Sequence, residues 1–207
     1  MSICNVWFEC DRALVVVDTE VMGPGGELLQ VSKLCALPHA HAVMAARGHL
    51  LFANRVFTYW QLAGGDFDSM IDRASEVLEL AFEETLQHAA VLDVRDQSSD
   101  LQEIVLAGWS PRQDRMAASV YKHSAAEGFT VDTLIPPSFY LAPWDNSMTS
   151  HPMDQELPAD PTRICRAQVA RSKELFPRVG CGGEAIAAHL FRDHMLIVHH
   201  PIGDEAS

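Results

Sequence analysis

Ala13-Leu14-Val15-Val16-Val17 is an unbroken apolar run that stops at Asp18, and a short run rich in β-branched side chains reads as a strand. Another strand precedes it. Ser2 to Glu9 carries Ile3, Cys4, Val6, Trp7 and Phe8, and only the turn Cys10-Asp11-Arg12 separates the two segments. Strands joined by so short a turn pair as a hairpin. Gly23-Pro24-Gly25-Gly26 marks the next turn. Leu28 to Leu37 and His41 to Ala46 then supply two further strands, parted by Pro38-His39.

Beyond Arg47-Gly48 the text turns helical. Leu50 to Leu62 is a first helix, ended by Gly64-Gly65. Asp66 caps a second that runs to about Ala90, with Phe67, Met70, Ile71, Ala74, Val77, Leu78, Ala81, Phe82 and Leu86 mostly three and four residues apart. Val91 to Leu101 is a mostly polar connector. Glu103 to Trp109 and Arg115 to Tyr121 form a hairpin about Ser110-Pro111-Arg112-Gln113-Asp114. Thr133 to Leu141 is a short strand interrupted by Pro136-Pro137, and Ala142 to Pro161 is a long loop rich in Pro, Asp and Ser. Thr162 to Phe176 is a helix; after Gly182-Gly183, Glu184 to Phe191 and Met195 to His200 make a last hairpin. Segregated runs of strands and helices predict an α+β architecture with antiparallel sheets. At 207 residues the expectation is one domain over 1–207.

Hydrophobic residues make up 48% of the chain, enough for a large core, which excludes disorder throughout. The net charge of −13 argues against nucleic-acid binding through phosphate contacts and against adhesion to anionic membranes. No apolar run is long enough to form a transmembrane helix, and the start lacks the pattern of a secretory signal. Five cysteines, Cys4, Cys10, Cys35, Cys165 and Cys181, form no CxxC pair. Free thiols in a reducing cytoplasm are the expectation, with no structural zinc.

Ser2, Asp18, Lys33 and Gly48 also form a pattern together. Val15-Val16-Val17-Asp18-Thr19-Glu20, Ser32-Lys33-Leu34 and Val43-Met44-Ala45-Ala46-Arg47-Gly48 follow one another in order. This text resembles the opening of N-terminal-nucleophile hydrolases, the superfamily of proteasome β-subunits and bacterial proteasome-like proteases. Ile104 to Trp109, ending near Gly108, and Cys181-Gly182-Gly183 resemble later parts of that family. The resemblance implies a four-layer αββα sandwich of antiparallel sheets, self-association into a dimer or ring, a peptide or amide substrate, and no cofactor. It assigns Ser2, exposed by removal of Met1, as nucleophile, with Asp18, Lys33 and Gly48 as its catalytic companions. One departure stands out: where the family has a Ser- and Gly-rich turn, this chain has Ile135-Pro136-Pro137-Ser138-Phe139-Tyr140, leaving Ser138 as the available hydroxyl.

An α-amine has an unperturbed pKa of about 7.7–8.0, so part of it is neutral near pH 7 and able to take the hydroxyl proton. Lys33 would favour the anionic oxygen by its charge, and Asp18 would compensate a buried ammonium. The Gly48 N–H would stabilise an oxyanion, a contribution of about 3 kcal/mol per donor in other hydrolases. Two other readings remain open. One is a catalytically inactive structural or assembly subunit. The other is a small-molecule or metal-binding protein using His39, His41 and His49 with His194, His199 and His200, although no HExxH spacing supports it.

Overall fold

The computed structural model describes residues 2–23, 25–91, 102–143, 157–176 and 181–202. The first hairpin is β1 (Cys4–Phe8) and β2 (Arg12–Asp18). They lie in an antiparallel five-stranded sheet with β10 (Ser138–Ala142), β11 (Glu184–Phe191) and β12 (Met195–Pro201), ordered β10-β1-β2-β11-β12. A second antiparallel sheet has the order β5-β6-β7-β8-β9, built from Leu34–Leu37, Ala42–Arg47, Gln102–Ser110, Arg115–Ser124 and Gly128–Leu134. Between the two in sequence, β3 (Glu20–Met22) and β4 (Leu28–Gln30) form a separate two-stranded ribbon.

The unbroken apolar run of β2 now has a physical reason. Successive side chains of a strand point to opposite faces, and both faces of this one are covered. Val15 and Val17 join Val6 and Phe8 in the core between the five-stranded sheets, against Val43, Ala45, Val105 and Ala107. Leu14 and Val16 point the other way, into a cluster with Trp7, Ile3 and Cys165 of helix α4 (Thr162–Leu175). Each fully buried Val or Leu contributes about 1.5–3 kcal/mol relative to exposure. An alternating sequence would have left polar groups in one of these cores.

The outer face of the second sheet carries α1 (Leu50–Ala63), α2 (Phe67–Asp72) and α3 (Ala74–Val91). Met44, Ala46, Ile104 and Leu106 of the sheet pack there against Phe52, Val56, Trp60, Met70 and Leu78. Gly108 permits the close contact of β7: a Cβ on it would lie 2.6 Å from a ring carbon of Phe67 and 2.7 Å from Ala42 Cβ.

The expected αββα sandwich of four layers is corrected by this arrangement. Among the described residues the chain is dominated by antiparallel sheet, twelve strands in three sheets, with four α-helices. The helical cover is also unequal, three helices against one sheet and α4 alone against the other.

Several local expectations change as well. The segment from Leu28 to Leu37 is two strands, β4 and β5, with Ser32 and Lys33 between them. The helix expected from Asp66 breaks at Arg73, whose N–H bonds Ile71 O, so α2 and α3 are separate. Thr133 to Leu141 divides between β9 and β10, which belong to different sheets. Pro136 and Pro137 have no N–H to donate to a ladder, so pairing stops there. Most of the Val91–Leu101 connector and of the 142–161 loop lies outside the described residues.

Candidate active site

Asp18 ends β2 beside the start of β1, because Cys4 pairs with Val17 and the chain continues one step further. Its carboxylate is fully buried and has three donors. Oδ1 accepts from Ile3 N at 2.8 Å and from Lys33 Nζ at 2.7 Å, and Oδ2 accepts from Gly182 N at 3.0 Å. Lys33 stands just before β5, and its backbone O accepts from Ala46 N at 2.9 Å, which ties it to the end of β6. Its ammonium donates also to Glu20 O at 2.5 Å. Since Lys33 and Ile3 share one oxygen of Asp18, the ammonium lies next to the peptide that links Ser2 and Ile3.

Burial pushes the Lys33 ammonium below its ordinary pKa, while Asp18 pulls it back up. Burial likewise pushes Asp18 up, against the pull of Lys33 and of the Ile3 and Gly182 N–H groups. A desolvated cation with its counter-charge on one side keeps its remaining field for whatever occupies the other side.

Ser2, Lys33 and Gly48 line one cleft, walled further by Cys35, Met44 and Leu50, with about 380 Å³ of space counted to the open solvent. Asp18 lies behind Lys33 rather than in the wall. Gly48 has φ 111°, in the region that favours glycine, so the turn at the rim requires that residue. The chain next enters α1, whose N-cap His49 accepts the Leu51 N–H through Nδ1 at 3.3 Å. All four residues singled out in the sequence are therefore neighbours.

Three participants were not legible in the sequence. Gly182 reaches Asp18 from 164 positions away. Glu20 anchors the same segment through Oε1, which accepts from Cys181 N at 3.1 Å. Arg47 Nε donates to Ser2 O at 2.6 Å; the signal available was a single charge closing an otherwise apolar strand. Ser138, in contrast, is remote. It pairs with Phe8 at the far end of β1, whereas Ala142 lies opposite Cys4 near the site.

The histidines do not assemble a metal site among the described residues. His41 contacts Phe191 O at 2.7 Å, His199 contacts Glu184 at 3.1 Å, and His49 caps a helix. Among the described residues no three His, Cys, Asp or Glu side chains are placed to hold a metal ion. Cys165 and Cys181 are pushed up to about 12 and about 11, and Cys4 higher still, in each case mainly by burial. Thiols so raised are poor nucleophiles. No helix among the described residues is long and apolar enough to cross a membrane.

No family model and no curated protein matches this sequence. In fold, the chain is similar to a solved structure of the Gly-1 mutant of Anbu from Hyphomicrobium sp. strain MC1. The TM-score is 0.59 and the identity 13%, over 99% of this chain and 88% of that one. The assignment to the N-terminal-nucleophile superfamily as a proteasome β-subunit-like member, read from residues 2 to 48, is thereby corrected. What stands in its place is a likeness of fold to Anbu, a protein rich in β-sheet.

Proposed function

We propose that this is a proteasome-like protein that hydrolyses an amide or peptide bond, with Ser2 as nucleophile once Met1 is removed. The observation that carries this reading is the Lys33 ammonium, held on Asp18 Oδ1 at 2.7 Å while lining one cleft with Ser2 and Gly48. The likeness of fold to Anbu supports it.

The Ser2 α-amine takes the hydroxyl proton, directly or through a water, as Oγ attacks the carbonyl carbon. Lys33 stabilises the developing alkoxide, and the Gly48 N–H stabilises the oxyanion. The ammonium formed from the α-amine then protonates the leaving amine. The C–N bond breaks, and a Ser2 ester remains for water to cleave. Self-association accompanies this reading, supported by the exposed Leu62, Leu80 and Leu86 on α1 and α3.

Intact mass combined with labelling by a fluorophosphonate probe tests the proposal. The native protein is expected to lack Met1 and to gain one adduct at Ser2. Ser2→Ala abolishes the adduct, and Lys33→Ala slows it by about a hundredfold. Retention of Met1 without an adduct would sink the reading and leave a structural subunit, and an adduct that survives Ser2→Ala would sink it by placing the nucleophile on another residue.

A further inference from the structure

Both polar atoms of the peptide joining Ser2 to Ile3 are held by charged side chains. Asp18 Oδ1 accepts the Ile3 N–H at 2.8 Å, and Arg47 Nε donates to the Ser2 carbonyl at 2.6 Å. Arg47 ends β6, and another arm of its guanidinium pairs with Glu103 of β7, directly opposite in the sheet register. The two side chains are 12% and 5% exposed. Tyr140 of β10 reaches the same carboxylate. Burial first, then Glu103, hold its phenol far above the ordinary value, so it remains a donor.

An ion pair here is not explained by packing. The rest of β6 is apolar and buried, and exchanging a buried ion pair for apolar side chains is often neutral or stabilising. What an apolar side chain cannot do is orient a carbonyl. Ser2 precedes β1, which begins at Cys4, so no strand ladder fixes its backbone. Without such a bond the peptide would be held at the Ile3 N–H alone, and its carbonyl side, which carries the residue with both amine and hydroxyl, could tilt about that single bond to Asp18.

We propose that Arg47, set in place by Glu103 and Tyr140, is a positioning residue that locks the Ser2–Ile3 peptide plane and so aims the Ser2 amine and hydroxyl into the cleft. The inference rests on Ser2 being the nucleophile. A displacement of about 1 Å at a reacting group costs about a hundredfold in rate, so a peptide held only at its N–H is expected to cost at least about tenfold.

The experiment follows fluorophosphonate labelling of Ser2 as a function of probe concentration, separating the saturation constant from the maximal rate. Intact mass verifies that Met1 is gone. Arg47→Ala and the double variant Arg47→Met with Glu103→Gln are compared with the native protein; the double variant leaves no unpaired buried charge. A maximal rate lowered at least about tenfold, with an unchanged saturation constant, is expected in both. Added guanidinium ion restores the rate of Arg47→Ala, where Glu103 remains to bind it, and does not restore that of the double variant. Arg47→Lys, which has charge but not the planar fork, stays slow. A folded double variant labelled at the native rate overturns this inference and leaves the nucleophile standing. A native protein that loses Met1 yet gains no adduct at Ser2 overturns both.

Discussion

Lys33 Nζ lies 2.7 Å from Asp18 Oδ1, with the two side chains 4% and 0% exposed. Asp18, behind Lys33 and fully buried, cannot find water as a substitute partner. Removing one member of a buried pair leaves the other as an uncompensated charge, at a cost of about 3–5 kcal/mol. Asp18→Ala is expected to lower the unfolding free energy by about that amount, since it also strands the Ile3 and Gly182 N–H groups. Adding Lys33→Met recovers part of the loss. Urea unfolding of the two single variants and the double variant measures the coupling, and strictly additive effects would contradict a direct pair.

His49 gives the rim of the cleft a defined pH response. Its Nδ1 caps α1 only as an unprotonated acceptor, and burial lowers its pKa below 6.5. The unfolded chain therefore binds this proton more readily than the folded one. Stability from His49 is present in full above 6.5 and is lost as pH falls from there toward the lowered folded value. His49→Asn, an uncharged cap, is expected to flatten that limb in melting curves taken between pH 7 and pH 5. An unchanged limb would mean that another group is titrating.

Gly108 is placed where no side chain fits. An added Cβ would meet Phe67, Ala42 Cβ and the His41 carbonyl, all closer than 3.0 Å. Gly108→Ala is expected to destabilise by about 1–3 kcal/mol through overpacking between α2 and β7. Chemical denaturation reads the change. A neutral result would show that α2 moves aside freely.

Asn5 and Gln168 exchange two amide hydrogen bonds, 2.7 and 2.9 Å, that dock α4 on β1. Both residues are fully buried. Gln168→Ala leaves the Asn5 Nδ2 group without its oxygen partner, at a cost of about 1–3 kcal/mol. Loss of α4 protection in hydrogen exchange accompanies it. Pairing Asn5→Leu with Gln168→Leu recovers only part of the stability, because the two amides leave together but the Ala142 N–H and the Pro143 carbonyl lose their partners.

Much of the strand order was legible because its signals are local. The apolar run Ala13–Val17, the four-residue turn between β7 and β8, and the Gly64-Gly65 stop before Asp66 act through backbone sterics and neighbouring side chains. The break at Arg73 was not legible, since apolar residues keep helical spacing straight through it. Nor was the start of β9 at Gly128, where the residues are largely exposed and the alternation of Phe129-Thr130-Val131-Asp132 is short and stops at Thr133. At the site, Ser2, Asp18, Lys33 and Gly48 were singled out by a resemblance in the order of residues 2 to 48. Arg47 was read past as part of a turn, although it bonds Ser2 directly.

By itself, then, the sequence determined where most of the strands and helices run, while a resemblance to a known family singled out Ser2, Asp18, Lys33 and Gly48. Tertiary structure decided the rest: that β9 and β10 enter different sheets, that the helical cover is three against one, and that Arg47, Glu103 and Gly182 surround the Ser2–Ile3 peptide and its Asp18 partner. The reason is physical. Turn chemistry and side-chain period depend on residues a few positions apart, whereas a contact such as Gly182 with Asp18 depends on which of several similar strand edges meet once the cores close.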